Sequence, residues 1–290
     1  MDNILKRLYK KIRCPECFSE KDLKYESTSR IVCKNCKTKY VVRGGVATLF
    51  SRQSKEALAG ELKSNTGKMM VKEYTTKKQL IKVPDLTYNL IDRRRLHKIF
   101  TYSENVKYLI LNVGGGPKRE EQNVLNLNIG PFPNVDVIGD AHNLPFRSNS
   151  LDGVMIAAVL EHVKNPIKVV SEAHRVVKKG GYIYAETPFL QHFHGYPNHF
   201  QNFTLIGHDY MFRKFKKIES GAITGPFSTI FLLILNLVED FIDNKYIRKI
   251  VMLTVAFLLF PFKFLDRFFR DNDKTYRLTN GVYFLGQKVS

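Results

Sequence analysis

The sequence predicts an α/β protein: a parallel sheet covered on both faces, a small cysteine-held ribbon before it, and an apolar helical insertion before its last strand. Three observations carry this. Strand and helix patterns alternate from about residue 106, all four cysteines fall in the first 36 residues as two pairs, and two nearly continuous apolar runs interrupt the C-terminal part.

At 290 residues the chain has room for about two domains of roughly 150 residues. Its 44% hydrophobic and 25% charged residues are those of an ordinary globular protein, which excludes disorder, collagen and coiled coil as descriptions of the whole. Lys and Arg number 46 against 27 Asp and Glu, a net charge of +19, so the surface should attract phosphates of nucleic acid, lipid headgroups or nucleotides.

Residues 1–50 form the first unit. Cys14-Pro15-Glu16-Cys17 and Cys33-Lys34-Asn35-Cys36 read as two knuckles of a tetrahedral zinc site rather than as a disulfide framework. Four thiolates leave no position for a reacting water, so the metal is structural. Runs such as Tyr40-Val41-Val42 supply ribbon strands. The N-terminal Met-Asp-Asn-Ile-Leu-Lys-Arg lacks an apolar stretch behind its charges, and together with the metal-type cysteines it predicts a cytoplasmic protein. Residues 51–105 read as a basic linker ending in a short helix around Arg93-Arg94-Arg95, either a solvated face or a patch for phosphate or membrane.

The sheet domain takes residues 106–222 and 276–290. Strands are expected at 108–113, 124–129, 135–138, 153–158, 182–186 and near 215–220, with the last at 281–286. The first runs into Gly114-Gly115-Gly116, where a glycine turn lets backbone approach a ligand and a following helix start offers free N–H groups to negative charge. Ligands on open α/β sheets bind at such carboxyl ends, so Asn128, Asp140 and Ala158 at the ends of the next strands complete a nucleoside pocket. Asn165-Pro166 starts a helix with Ile167, Val170 and Val177 near one face, and Lys178-Lys179-Gly180-Gly181 should end it.

Four motifs in order and spacing carry a resemblance. Leu111-Asn112-Val113-Gly114-Gly115-Gly116, Asp140-Ala141-His142-Asn143-Leu144-Pro145-Phe146, Leu160-Glu161-His162-Val163-Lys164-Asn165-Pro166 and Arg175-Val176-Val177-Lys178-Lys179-Gly180-Gly181 together resemble the class I S-adenosylmethionine-dependent methyltransferases, nearest the type 11 branch. The resemblance implies a Rossmann-like sheet with S-adenosylmethionine as cofactor. Gly114 and Gly116 would pass under the methionine moiety, Asn112 would stand at the end of strand one, Asn128 would meet the ribose, and Asp140 with Ala141 would hold the adenine. Asn112 and Asn128 stand where the family carries acids. Each keeps an acceptor but loses its charge, so each bond falls from about 1.5–3 towards 0.5–1.5 kcal/mol, and two such losses lower affinity roughly a hundredfold.

The loop after strand five should hold the methyl acceptor. It contains His192, His194 and His199, with His208 close behind; His194 and His199 are the candidate general bases, against a role in packing with the neighbouring aromatics. A metal site at His192, His194 and His199 is disfavoured because no carboxylate is interleaved. His162 either borders the cofactor pocket or caps the next helix.

The insertion, residues 223–275, is apolar nearly all round at 228–235 and 250–260. Both runs fall short of the about 20 residues that span a bilayer. Lys245, Arg248, Lys249, Lys263, Arg267 and Arg270 flank them, which suits a helical pair lying on an anionic membrane surface; the other reading is a lid on the sheet domain or on a second subunit. The sequence therefore points to a cytoplasmic methyltransferase, peripheral on the inner face of the membrane, acting on a lipid-linked or envelope-glycan component. Two rivals stand beside it: an RNA methyltransferase whose ribbon and linker hold the phosphate backbone, and a non-catalytic adaptor of the same fold. The acceptor itself is not specified by the sequence.

Overall fold

The computed structural model describes residues 8–59, 84–91, 108–115, 124–194 and 198–289. Gly116 and the Arg93-Arg94-Arg95 helix expected in the linker lie outside them.

The ribbon comprises β1 (Leu23–Ser27), β2 (Arg30–Cys33), β3 (Lys39–Arg43) and β4 (Val46–Leu49). The sheet domain follows with β5 (Ile110–Val113), β6 (Val124–Asn128), β7 (Val137–Gly139), β8 (Leu151–Ala157), β9 (Val177–Pro188), β10 (Lys216–Ala222) and β11 (Gly281–Gln287). They join in one sheet of order β1-β2-β3-β4-β7-β6-β5-β8-β9-β11-β10. β7 to β9 run parallel, while β11 is antiparallel to both β9 and β10. Successive residues Ile110 and Leu111 are both buried, each in a different apolar cluster, because the central strands are covered on both faces.

The ribbon does not stand apart. β4 pairs in parallel with β7, Ala47 opposite Val137 and Leu49 opposite Gly139, so the cysteine module extends the sheet at its edge. Arg13 locks the junction: its guanidinium donates to Glu172 Oε2 at 3.0 Å and to the Leu144 carbonyl at 3.3 Å. The linker begins as α1 (Arg52–Ala57), capped by Ser51, which accepts from the Ser54 N–H.

Asn165 caps α2 (Pro166–Val176) as expected, accepting from the Lys168 N–H at 3.0 Å. Its buried face is Val169, Val170, Ala173 and Val176, whereas Ile167 points outward and Val177 already belongs to β9. The Lys178-Lys179-Gly180-Gly181 run therefore does not cap the helix. It lies within β9, where Gly180 takes φ +80° and the register with β8 shifts between Leu151 and Gly153. Glycine serves a strand irregularity here, and Lys178 Nζ reaches Asp152 at 2.6 Å instead of the helix end.

α3 (Leu205–Met211) follows the histidine loop and buries His208 against Phe212 and Phe284. Neither ring nitrogen of His208 has a hydrogen-bond partner, and burial holds its pKa down at about 3. The folded state thus refuses a proton that the unfolded chain accepts below about pH 6.5, and stability drains away as pH falls from there towards 3. The stability of His208→Leu is expected to fall less steeply between pH 6 and 4 than that of the parent, by up to about 1.4 kcal/mol per pH unit, in urea unfolding.

The insertion is α4 (Pro226–Phe241), α5 (Lys245–Leu259) and a 3-10 segment, Phe260–Phe269. Asp266 is fully buried and caps α4 from across the insertion, accepting from the N–H groups of Phe227 and Ser228 at 2.9 Å each. A Cβ on Gly225 would overlap Asp266, which is why glycine precedes this helix. Among the described residues no helix is long and apolar enough to cross a membrane. The insertion nonetheless leaves Leu237, Phe241, Ile250, Phe257, Leu258 and Phe268 well exposed.

Candidate functional site

Each pair of cysteines sits in a knuckle of the same form. The Phe18 N–H returns to the Cys14 carbonyl and the Lys37 N–H to the Cys33 carbonyl, both at 2.9 Å, and Phe18 and Lys37 each take φ +61°. The knuckles bring Cys14 Sγ to 3.7 Å from Cys36 and Cys17 Sγ to 3.6 Å from Cys33. Zn–S bonds of about 2.3 Å make a tetrahedron with edges near 3.8 Å, so the four sulfurs fit zinc, and they stand too far apart for disulfides. Tyr40 Oη, 3.0 Å from Cys14, and Asn35 Nδ2, 3.5 Å from Cys17, hold the outer side of the cluster.

The second region lies at the carboxyl ends of β5 to β8. Gly114 turns out of β5 with φ +77°, and a Cβ there would overlap Val159. Asn128 Nδ2 donates to the carbonyls of Gly114 and Gly115 at 3.2 Å each, so this side chain fastens the glycine turn. Asn112 Nδ2 faces Asn126 Oδ1 at 3.3 Å. Gly114, Ala157 and Ala158 are exposed at the ends of their strands, with Ala158 at φ +54°.

Asp140 and Ala141 follow the end of β7 and are both buried. Asp140 Oδ1 accepts from the His142 backbone N–H at 2.8 Å and faces its Nδ1 at 2.9 Å, while Oδ2 accepts from Ser54 Oγ at 2.7 Å. Burial pushes the Asp140 carboxyl up, but the bonds from His142 and Ser54 outweigh it and hold the group below the usual carboxylate range. Oδ2 keeps lone-pair capacity for one more donor, such as an exocyclic amine. Ser54 was not foreseen as part of this site. It comes from α1 in the stretch read as a linker, brought here by the β4–β7 pairing.

The third region gathers at the ends of β8 and β9. Glu161 is wholly buried, and neither of its carboxylate oxygens has a hydrogen-bond partner. His162 Nε2 and His194 Nε2 each stand 3.7 Å from Glu161 Oε1. His162 Nδ1 lies 2.6 Å from the Asn198 carbonyl and His194 Nδ1 3.1 Å from the His192 carbonyl, so in both rings Nδ1 carries the proton and Nε2 presents a lone pair. Burial pushes the Glu161 carboxyl up to about 7 and lowers the pKa of both imidazoles.

His199 is engaged at both nitrogens, accepting from the His194 N–H at 3.2 Å and meeting Asn202 Oδ1 at 2.6 Å. It fixes the loop. His162 does not cap the following helix, since Asn165 does; it faces Glu161 instead. The carboxylate that the histidine loop lacked in sequence is therefore supplied by the preceding strand's end. The adjacency of Glu161 and His162 was the only local signal for it.

Residues 118–185 match a family model described as a methyltransferase domain. A demethylmenaquinone methyltransferase of Lysinibacillus sphaericus is 38% identical over 66 residues, 21% of this chain and 28% of its own length. One from Renibacterium salmoninarum is 33% identical over 102 residues, 34% of this chain and 40% of its own. The matched stretches thus span less than half of either relative. Among solved structures, a Burkholderia thailandensis 1,6-didemethyltoxoflavin-N1-methyltransferase aligns with 93% of this chain and 100% of that one, at 10% identity and a TM-score of 0.45.

Proposed function

We propose that this chain is a class I methyltransferase of the type 11 branch and transfers the methyl group of S-adenosylmethionine to an acceptor presented at a membrane surface. The observation that carries the reading is the exposed small-residue turns at Gly114 and Ala158, at the carboxyl ends of the parallel neighbours β5 and β8. When bound, the cofactor supplies an electrophilic methyl on a sulfonium. The exposed Gly114 turn, fastened by Asn128, would lie against its methionine part, and Asp140 with Ala141 would meet the adenine.

Methyl transfer then asks the protein mainly for position. The loop after β9 would supply it: His199 holds the loop's shape, and His194, tied through Nδ1, keeps on Nε2, beside Glu161, the lone pair able to take a proton or a ligand. A structural zinc on Cys14, Cys17, Cys33 and Cys36 holds the edge of the sheet whose α1 supports Asp140.

The exposed apolar side chains of α4, α5 and the 3-10 segment, flanked by Lys245, Arg248, Lys249, Lys263, Arg267 and Arg270, support action on a lipid-linked or envelope-glycan acceptor. Flotation with phosphatidylglycerol vesicles tests this. The full-length protein is expected to float with them and to stay behind when Phe257→Asp and Phe268→Asp are combined. Failure to float, with salt-sensitive retention on RNA instead, would favour the RNA-modifying reading.

A further inference from the structure

We propose that Glu161, His162 and His194 form a second metal site, binding one divalent cation through a carboxylate oxygen and two imidazole Nε2 atoms. The three donor atoms lie within 4.8 Å of one another at the joined carboxyl ends of β8 and β9. Both rings have their Nδ1–H groups tied to backbone carbonyls, of Asn198 and His192, which is how a metal-binding histidine is oriented and its tautomer set. Two lone pairs are thereby aimed at the side chain of Glu161.

Glu161 makes the case specific. It is fully buried and neither oxygen has a hydrogen-bond partner, an arrangement that proteins avoid unless something fills the gap. A packing role would have placed a donor here. His194 is in turn packed by His199, the two ring centres 4.4 Å apart. Two nitrogens and one oxygen suit borderline cations such as Zn2+, Co2+ or Fe2+, in contrast to the thiolates of the ribbon. Three protein ligands also leave coordination positions open, unlike the closed cysteine site.

Where this rests on the proposed methyl transfer, the cation would stand on the acceptor side and hold an acceptor oxygen, placing the substrate among hydroxyl or enolate compounds. Metal binding itself does not depend on that reading, and the experiment separates the two.

Full-length protein with zinc on its four cysteines is titrated with Co2+ and followed by visible absorption, since nitrogen and oxygen donors give no thiolate charge-transfer band. One equivalent of Co2+ per chain is expected in addition to the zinc. Glu161→Gln, which keeps the shape of the side chain, and His194→Ala should each weaken Co2+ at least about tenfold, while His192→Ala should not. Absence of a second equivalent, or equal Co2+ affinity in parent, Glu161→Gln and His194→Ala, would overturn the site. Calorimetry with S-adenosylhomocysteine on the same samples distinguishes the failures: a chain that binds Co2+ but no nucleoside keeps the metal site and loses the methyltransferase reading.

Discussion

Replacing Cys33 with serine is expected to empty the ribbon of zinc and to disorder the first edge of the sheet. The ribbon has few large buried side chains of its own, chiefly Ile31, Tyr40, Val42 and Leu49. Structural zinc in small peptides contributes about 10–16 kcal/mol of folding energy, far more than such a core can replace. Loss of the metal should therefore reach beyond the cysteines. β4 is held from one side by β3, and once the ribbon opens its pairing with β7 is left to three residues. Ser54 would then leave Asp140, and losing that charge-assisted bond of about 1.5–3 kcal/mol should weaken nucleoside binding about tenfold or more. Metal analysis should give one zinc per parent chain and none in Cys33→Ser, with proteolysis cutting first within residues 8–59. A variant that lost zinc yet resisted protease like the parent would contradict the account.

Glu172→Ala should produce the largest loss from a single side chain away from the metal. Its carboxylate accepts from Arg13 Nη2, Arg175 Nη2, Arg175 Nε and the Leu144 N–H, at 2.8 to 3.0 Å. Arg13 and Glu172 are nearly buried, so removing the acid strands a guanidinium in the interface between ribbon and sheet domain. Breaking a buried pair from one side costs about 3–5 kcal/mol. Urea unfolding should show a loss of that order for Glu172→Ala. The double variant with Arg13→Ala should lose much less than the sum of the two singles, because the second change removes the stranded charge.

Much of the sheet domain was legible because its signals are local. The run from Leu109 to Val113 ends in glycine, Asn165-Pro166 starts a helix, and the last strand alternates, so each element announces itself within a few residues. The clustering of the four cysteines was legible for the same reason, from spacing alone. What stayed hidden depends on pairing across the chain. Val46–Leu49 is four residues with nothing to indicate that it would run parallel to β7, and that pairing brings Ser54 to Asp140. Glu161 and His194 are separated in sequence by α2 and β9 and meet only because β8 and β9 are neighbours. The Lys178-Lys179-Gly180-Gly181 run misled because a left-handed glycine suits a strand irregularity as well as a helix end.

S-adenosylmethionine is expected to bind beside the Gly114 turn. Calorimetry of the zinc-loaded full-length protein with that compound tests it most directly. One molecule should bind per chain, weakly for this fold because Asn112 and Asn128 replace acids, and Gly114→Val, which forces a side chain into φ +77° and onto Val159, should abolish the heat. A folded, zinc-bearing protein that takes up no S-adenosylmethionine even at millimolar concentration would contradict it.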